Sequence, residues 1–203
     1  MFFALVMVAS LAIAFLRGRS ADAIVGRPFR LWQLAMVGVI LHLVTNQAIL
    51  SHALAWKVPG FTFSVGELSY VASFVFVLAF LLANRTQPGF LVLLLGLSLN
   101  LLAIVANGGH MPGAPEPLNA AGLLDGLRQR ISAGWWTPYA VIDSSTQFSW
   151  LCDRILMPLP FRGPVVVSAG DLVIAVGCFL FCNDPFRRTT IFSARRRRYG
   201  LGG

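Results

Sequence analysis

The sequence predicts an all-α membrane protein with five transmembrane helices: one short helix, then two pseudo-repeated helical hairpins, with a long outer loop carrying interfacial helices. Three observations carry this. The 203 residues are 57% hydrophobic and only 12% charged, with a mean hydropathy of +0.74, a composition foreign to water-soluble domains. Five apolar runs stand out, at about residues 2–16, 31–50, 66–83, 88–106 and 165–182, most of them near the ~20 residues that a spanning helix needs. Two of these runs also rhyme. Gly38-Val39-Ile40-Leu41-His42-Leu43 matches Gly96-Leu97-Ser98-Leu99-Asn100-Leu101, and downstream Ser64-Val65-Gly66-Glu67-Leu68 matches Ser168-Ala169-Gly170-Asp171-Leu172.

The first run is short, but it lacks the basic segment that precedes a signal peptide's apolar core, so it reads as a tilted span. The second run carries His42 and Asn46 on one face, one turn apart, near the middle of the span. A short outer loop at 51–65 leads to the third run. Asn84 to Gln87 is a tight inner turn closed by Pro88-Gly89, and the fourth run follows. The tryptophans Trp32, Trp56, Trp135, Trp136 and Trp150 fall at span ends or in the outer loop, where an indole straddles headgroups.

The connection from Asn107 to Pro164 exceeds fifty residues, so the second hairpin differs from the first mainly by this insertion. It opens on a Gly and Pro stop, Asn107-Gly108-Gly109-His110-Met111-Pro112-Gly113. An amphipathic helix is expected from Asn119 to Ile131, an interfacial anchor at Trp135 to Tyr139, and a second helix from Ser145 to Met157 ended by Pro158 and Pro160. Residues 1–186 thus form one transmembrane domain whose segment 107–164 is a lid on the extracytoplasmic surface. Residues 187–203 form a basic cytoplasmic tail.

The net charge of +8 follows lipid topology rather than a phosphate-gripping domain, and nucleic acid is not an expected partner. Placing the N-terminus outside and the C-terminus inside puts eleven of the sixteen cations on the cytoplasmic side. The run Arg195-Arg196-Arg197-Arg198 is expected to bind anionic membrane headgroups. Three cysteines form no metal or redox motif, and Cys178 and Cys182 read as small packing groups on one helix face.

Ser64-x-x-Glu67 and Ser168-x-x-Asp171 have capping-box spacing, which explains an acid at the start of each helix. The functional alternative is a pair of acids that coordinate a cation or hold a proton. His42 and Asn100, at matched positions, are expected to face each other at the centre of the bundle. Interhelical hydrogen bonding is the structural reading of such groups and a ligand site the functional one. Asn46 and Asn107 extend this polar seam to the Gly108-Gly109 break, so the candidate ligand-binding set is His42, Asn46, Asn100, Asn107, Gly108, Gly109, Met111, Pro112 and Asp153. No second mid-span imidazole is present for a bis-histidine haem. No metal site, phosphate loop, nucleophile elbow or ordered catalytic triad appears either.

Asn107-Gly108-Gly109-x-Met111-Pro112, Leu151-x-Asp153 followed by Pro158 and Pro160, and Ser168-x-Gly170-Asp171 with Gly177 together resemble an uncharacterised bacterial integral-membrane family, a domain of unknown function. The resemblance covers most of the chain, and Asn-Gly-Gly-x-Met-Pro is its most specific element. Cys152 departs from it, standing where Gly is expected in a Leu-Gly-Asp element. The resemblance implies a membrane protein with functional weight in the outer loop and supplies no reaction. The leading expectation is a non-enzymatic protein of the bacterial cytoplasmic membrane. It would be an accessory or scaffold subunit of a respiratory or photosynthetic assembly, with lipids and other membrane subunits as partners, holding a lipid, quinone or pigment. The alternatives are a small-molecule transporter or ligand-binding protein, and an extracytoplasmic enzyme acting on lipid-linked substrate through Glu67, Asp153 and Asp171.

Overall fold

A computed structural model describes residues 2–17, 29–60, 62–159 and 163–183. The described chain is mostly helical with a few short strands. Its order is α1 (Phe2–Leu16), α2 (Trp32–Thr45), a 3-10 turn (Ala48–Leu50), α3 (Ser51–Leu54), α4 (Val65–Ala83), α5 (Phe90–Ala106), β1 (Met111–Gly113), α6 (Pro115–Ala120), α7 (Leu124–Ser132), β2 (Tyr139–Val141), a 3-10 turn (Ser149–Leu151), β3 (Ile155–Met157), β4 (Val165–Val167) and α8 (Ala169–Cys182). The tail arginines Arg195 to Arg198 lie outside the described residues.

Two antiparallel helix pairs, α2 with α4 and α5 with α8, lie side by side through an α4 to α5 contact, and α1 rests on α8. The α5/α8 pair approaches closely because glycines line both sides. A Cβ on Gly96 would meet the Gly170 carbonyl and Ile174, and one on Gly177 would meet Leu93. Small residues facing each other let the two backbones approach closely and gain van der Waals contact.

Five spans of about twenty residues are not what the described chain contains. Among the described residues one helix, Val65–Ala83, is long and apolar enough to cross a membrane, and the other apolar helices are shorter. The physical reasons are local. At Thr45 the hydroxyl turns back onto the Leu41 and His42 carbonyls and the Asn46 amide bonds the His42 carbonyl, which stops α2 early. In the last run Val165–Val167 pairs as a strand with Ile155–Met157, and α8 starts only after Ser168.

The two hairpins also differ in register. Gly38 of α2 packs against Ser73 and Val77 of α4, whereas Gly96 of α5 packs against Gly170 and Ile174, whose matched residues are Gly66 and Tyr70. The offset is about two helical turns. The Trp136 indole explains it, because it occupies the space in front of Gly66 that α5 fills in front of Gly170. The expected equivalence of His42 and Asn100 is therefore lost in the packing.

The long connection is an ordered cap rather than a pair of interfacial helices. The helix expected over 119–131 is split into α6 and α7 at Gly122, which sits at φ +70°. The helix expected over 145–157 does not form: Asp143 Oδ1 accepts from Ser145 N, Ser145 Oγ and Thr146 Oγ1, Phe148 turns left-handed at φ +47°, and 155–157 becomes β3. β1 is sandwiched, pairing in parallel with β2 on one side and bridging Asp153 on the other. The anchor at Trp135 to Tyr139 is half internal. Trp135 stays partly exposed against His52, while Trp136 is buried against Tyr70 and His110.

Candidate functional site

The cap begins where α5 stops. Gly108 and Gly109 have φ of +68° and +88°, and their amides return to the Val105 and Ile104 carbonyls, a Schellman ending that only glycine adopts without strain. Asn107, the C-cap, donates from Nδ2 to the Gln147 carbonyl at 3.0 Å and accepts the Gln147 amide at 2.9 Å, so one side chain imitates a strand partner. Met111 and Pro112 then enter β1 fully buried. Beyond them, the Pro112 carbonyl accepts from Asp153 N at 2.9 Å and Ala114 N donates to the Asp153 carbonyl at 2.8 Å. The Asn-Gly-Gly-x-Met-Pro element thus clamps the backbone of Asp153 rather than offering backbone to a ligand. Cys152 next to it is extended, at φ −75° and ψ 170°, so no glycine is required there.

Between the hairpins and beneath the cap lies a cavity of about 750 Å³, inside the size range of small-molecule sites. Gly38, His42, Phe74 and Val77 wall one side, Leu97, Asn100 and Ile174 the other. The cap supplies Leu118, Leu127, Val165 to Val167, Tyr139 and Asp153. The lining is mainly apolar, with the polar groups gathered under the cap.

Three polar arrangements surround this end. In the first, Ser64 and Glu67 form a reciprocal capping box at the start of α4, and His110 leans on it, with Nε2 3.3 Å from Glu67 Oε1. His110 Nδ1 lies 2.8 Å from the Thr137 carbonyl, which only accepts, so Nδ1 is the donor in that contact. In the second, Ser168 and Asp171 form the matching box at the start of α8, and Asn100 engages both: Nδ2 donates to Asp171 Oδ1 at 2.7 Å and Oδ1 accepts Ser168 Oγ at 2.9 Å. Both capping acids are therefore held by side chains. The third is Asp153, 8% exposed, whose carboxyl has no hydrogen-bond partner among the described residues and faces the cavity. Burial, and secondarily the charge of Asp171, push this carboxyl up to about 8, so at neutral pH it is mostly a neutral acid. Tyr139 is 44% exposed as a residue, yet the protein packed around its phenol, with the charges of Asp153 and Asp171, pushes the hydroxyl up to about 12.

Residues 26–183 match the model of a family of unknown function, DUF5317. The chain belongs to this family. An uncharacterized protein of Thermotoga maritima is 30% identical to this DUF5317 chain over 118 residues, 57% of the chain and 62% of the relative. The match spans less than two thirds of that relative's length. No solved structure matches.

The candidate residues divide clearly. His42, Asn100, Met111 and Asp153 line the cavity of the DUF5317 chain. His42 lies in the last turn of α2, not mid-span, and its ring stacks on Tyr70 at 5.5 Å and meets Phe74 edge-on, so it shares the cavity with Asn100 without pairing with it. Asn46 is exposed and closes α2, outside the seam expected of it. Asn107, Gly108, Gly109 and Pro112 shape the cap. Tyr70, Tyr139, Thr137 and Arg130 also line the cavity, and sequence reasoning did not single out the first of these. Its one sequence signal was its place on α4 one turn after Glu67. Among the described residues no cluster of three or more His, Cys, Asp or Glu forms a metal cage.

Proposed function

We propose that this chain is a multi-pass protein of the bacterial cytoplasmic membrane that binds a small, mainly apolar molecule in the cavity between its two hairpins. The observation that carries the reading is the cavity itself, about 750 Å³ with an apolar lining and one unpartnered buried acid under an ordered cap. Several features support a bilayer setting. The helices α1, α2, α4, α5 and α8 contain no Lys or Arg, and their only acids are the capping Glu67 and Asp171. Their outward faces carry Met36, Ile40, Val75, Leu91, Leu95, Leu102 and Val176, each 46% to 60% exposed, where a helix in water would place polar groups. At 14 to 17 residues, α2, α5 and α8 fall short of the hydrocarbon thickness, which flanking residues and local thinning accommodate at modest cost. The arginine distribution of the sequence supports a topology with the cap outside and the 84–87 turn inside.

Purification in mild detergent followed by mass spectrometry of the intact particle tests this. A small molecule retained by the native chain and lost from Gly126→Trp supports it, because Gly126 lines the cavity and has open space in front of it. Retention by both would refute it. A second reading, an accessory subunit of a larger membrane assembly, is favoured by Ile49 and Trp56, which are 88% and 58% exposed beyond the end of α2. Stoichiometric co-isolated chains would favour that reading instead.

A further inference from the structure

Three polar side chains reach the capped end of the cavity with no hydrogen-bond partner for their polar heads among the described residues: the Asp153 carboxyl, the Tyr70 hydroxyl and the Tyr139 hydroxyl. Asp153 and Tyr139 come from the cap and Tyr70 from α4, and both phenols lie near enough to Asp153 to feel its charge. None of the three is sealed within protein. The fully enclosed orphans among the described residues are Trp136 Nε1 and Asn183 Oδ1, so the Asp153 and Tyr70 heads keep open space in front of them, and Tyr139 is itself 44% exposed. Two neighbouring polar groups at this end are taken. Asn100 spends both arms on Ser168 and Asp171, and the Asp171 carboxylate accepts from Asn100 Nδ2 and Ser168 N.

Resting on the cavity reading above, we infer that the bound molecule is a neutral amphiphile whose head carries carbonyl oxygens, as a quinone or a fatty-acyl ester does. These oxygens accept hydrogen bonds from Asp153 as a carboxylic acid and from the Tyr70 and Tyr139 hydroxyls. Converging donors in an apolar pocket select acceptors, because a ligand without them leaves buried polar groups unpaired. A cationic head is disfavoured by the surroundings. Asp153 keeps its proton to about pH 8, and Arg130 of α7 lines the same cavity with like charge. The remaining titratable or charged groups around Asp153 are Asp171 of α8, His42 of α2, and Cys152 and Arg154 beside it in the chain.

The test uses the full chain in nanodiscs, with empty nanodiscs as blank, and three labelled probes: decylubiquinone, a monoacylglycerol and dodecylamine, each titrated from pH 6.5 to 9.5. Saturable binding of a carbonyl probe is expected, and which of the two binds identifies the source of the carbonyl. Its affinity should fall by about tenfold per pH unit once Asp153 ionises above about pH 8. Asp153→Asn, which cannot ionise, should remove that fall. Asp153→Leu, which cannot donate, should lower affinity by about tenfold or more at pH 7. Binding of dodecylamine that strengthens with pH, or saturable binding by neither carbonyl probe, overturns the inference. If Gly126→Trp abolishes the amine binding, the cavity reading survives that failure; if no binding responds to Gly126→Trp, the cavity reading falls as well.

Discussion

Asn100 and Asp171, seventy-one positions apart, are joined by a 2.7 Å hydrogen bond from Nδ2 to Oδ1. The same amide accepts the Ser168 hydroxyl, so α5 holds the capping box of α8 with both arms of one side chain. Nothing comparable reaches the matched box from α2. There the corresponding contact to Glu67 comes from His110, just beyond the end of α5. Both helix starts that frame the cavity are thus tied to α5 or its continuation. Asn100→Leu removes two partners from partly or fully buried groups and is expected to cost about 1–3 kcal/mol. Denaturant unfolding in detergent measures it, and a change near zero would show that the amide does not join the hairpins.

Gly170 gives a steric counterpart. A Cβ there would run into the Asn100 amide and lie 2.8 Å from the Gly96 carbonyl. Gly170→Ala should therefore destabilise by about 1–3 kcal/mol. Gly126→Ala, inside α7 with nothing within 4 Å, should instead be neutral or stabilise by up to about 1 kcal/mol through helix propensity. Equal effects from the two would contradict the close α5/α8 approach.

Asp153 sets a pH dependence of stability whose sign runs opposite to that of most carboxylates. Its folded pKa is about 8, above the ordinary unfolded value, so between roughly pH 4 and pH 8 the folded state binds the extra proton. Stability is then greatest below pH 4 as far as this group is concerned and declines as pH rises, by up to about 1.4 kcal/mol per unit, levelling off above about 8. Comparing melting temperatures across pH 5 to 9 for the native chain and Asp153→Asn checks this. The variant should show a shallower decline.

Asn107 makes a claim on the cap. Its two bonds to Gln147, with a third to the Ala103 carbonyl, hold the 143–152 segment against the end of α5. Asn107→Ala should cost about 1–3 kcal/mol and, more specifically, speed hydrogen exchange at the Gln147 amide. Unchanged exchange at that amide would mean that the segment is held elsewhere.

Topology is read by impermeant thiol labelling of intact cells. A cysteine replacing Ala120, exposed at the end of α6, should react, and one replacing Ala194 should not. The native Cys152, Cys178 and Cys182 are buried and should add little background. The opposite pattern would invert every side assignment.

Local chemistry was legible in the chain and non-local pairing was not. Ser64-x-x-Glu67 and Ser168-x-x-Asp171 announce their helix starts because a capping box is complete within four residues. Asn107-Gly108-Gly109 announces a stop because a Schellman ending uses only neighbouring carbonyls. The split of 119–131 at Gly122 and the strands of the cap escaped, since three-residue strands carry too little alternation to register as a pattern and are decided by their partners.

The amino-acid order by itself determined the apolar helices, the two capping boxes and the Asn107-Gly108-Gly109 stop, because each follows from interactions within a turn or two of chain. The tertiary structure alone decided that Trp136 fills the space before Gly66, that the hairpins pack about two turns out of register, and that Asp153 faces the cavity with Tyr70 and Tyr139 while His42 and Asn100 go to different partners. Those outcomes depend on which side chain wins a shared volume, and a short sequence match carries no information about that competition.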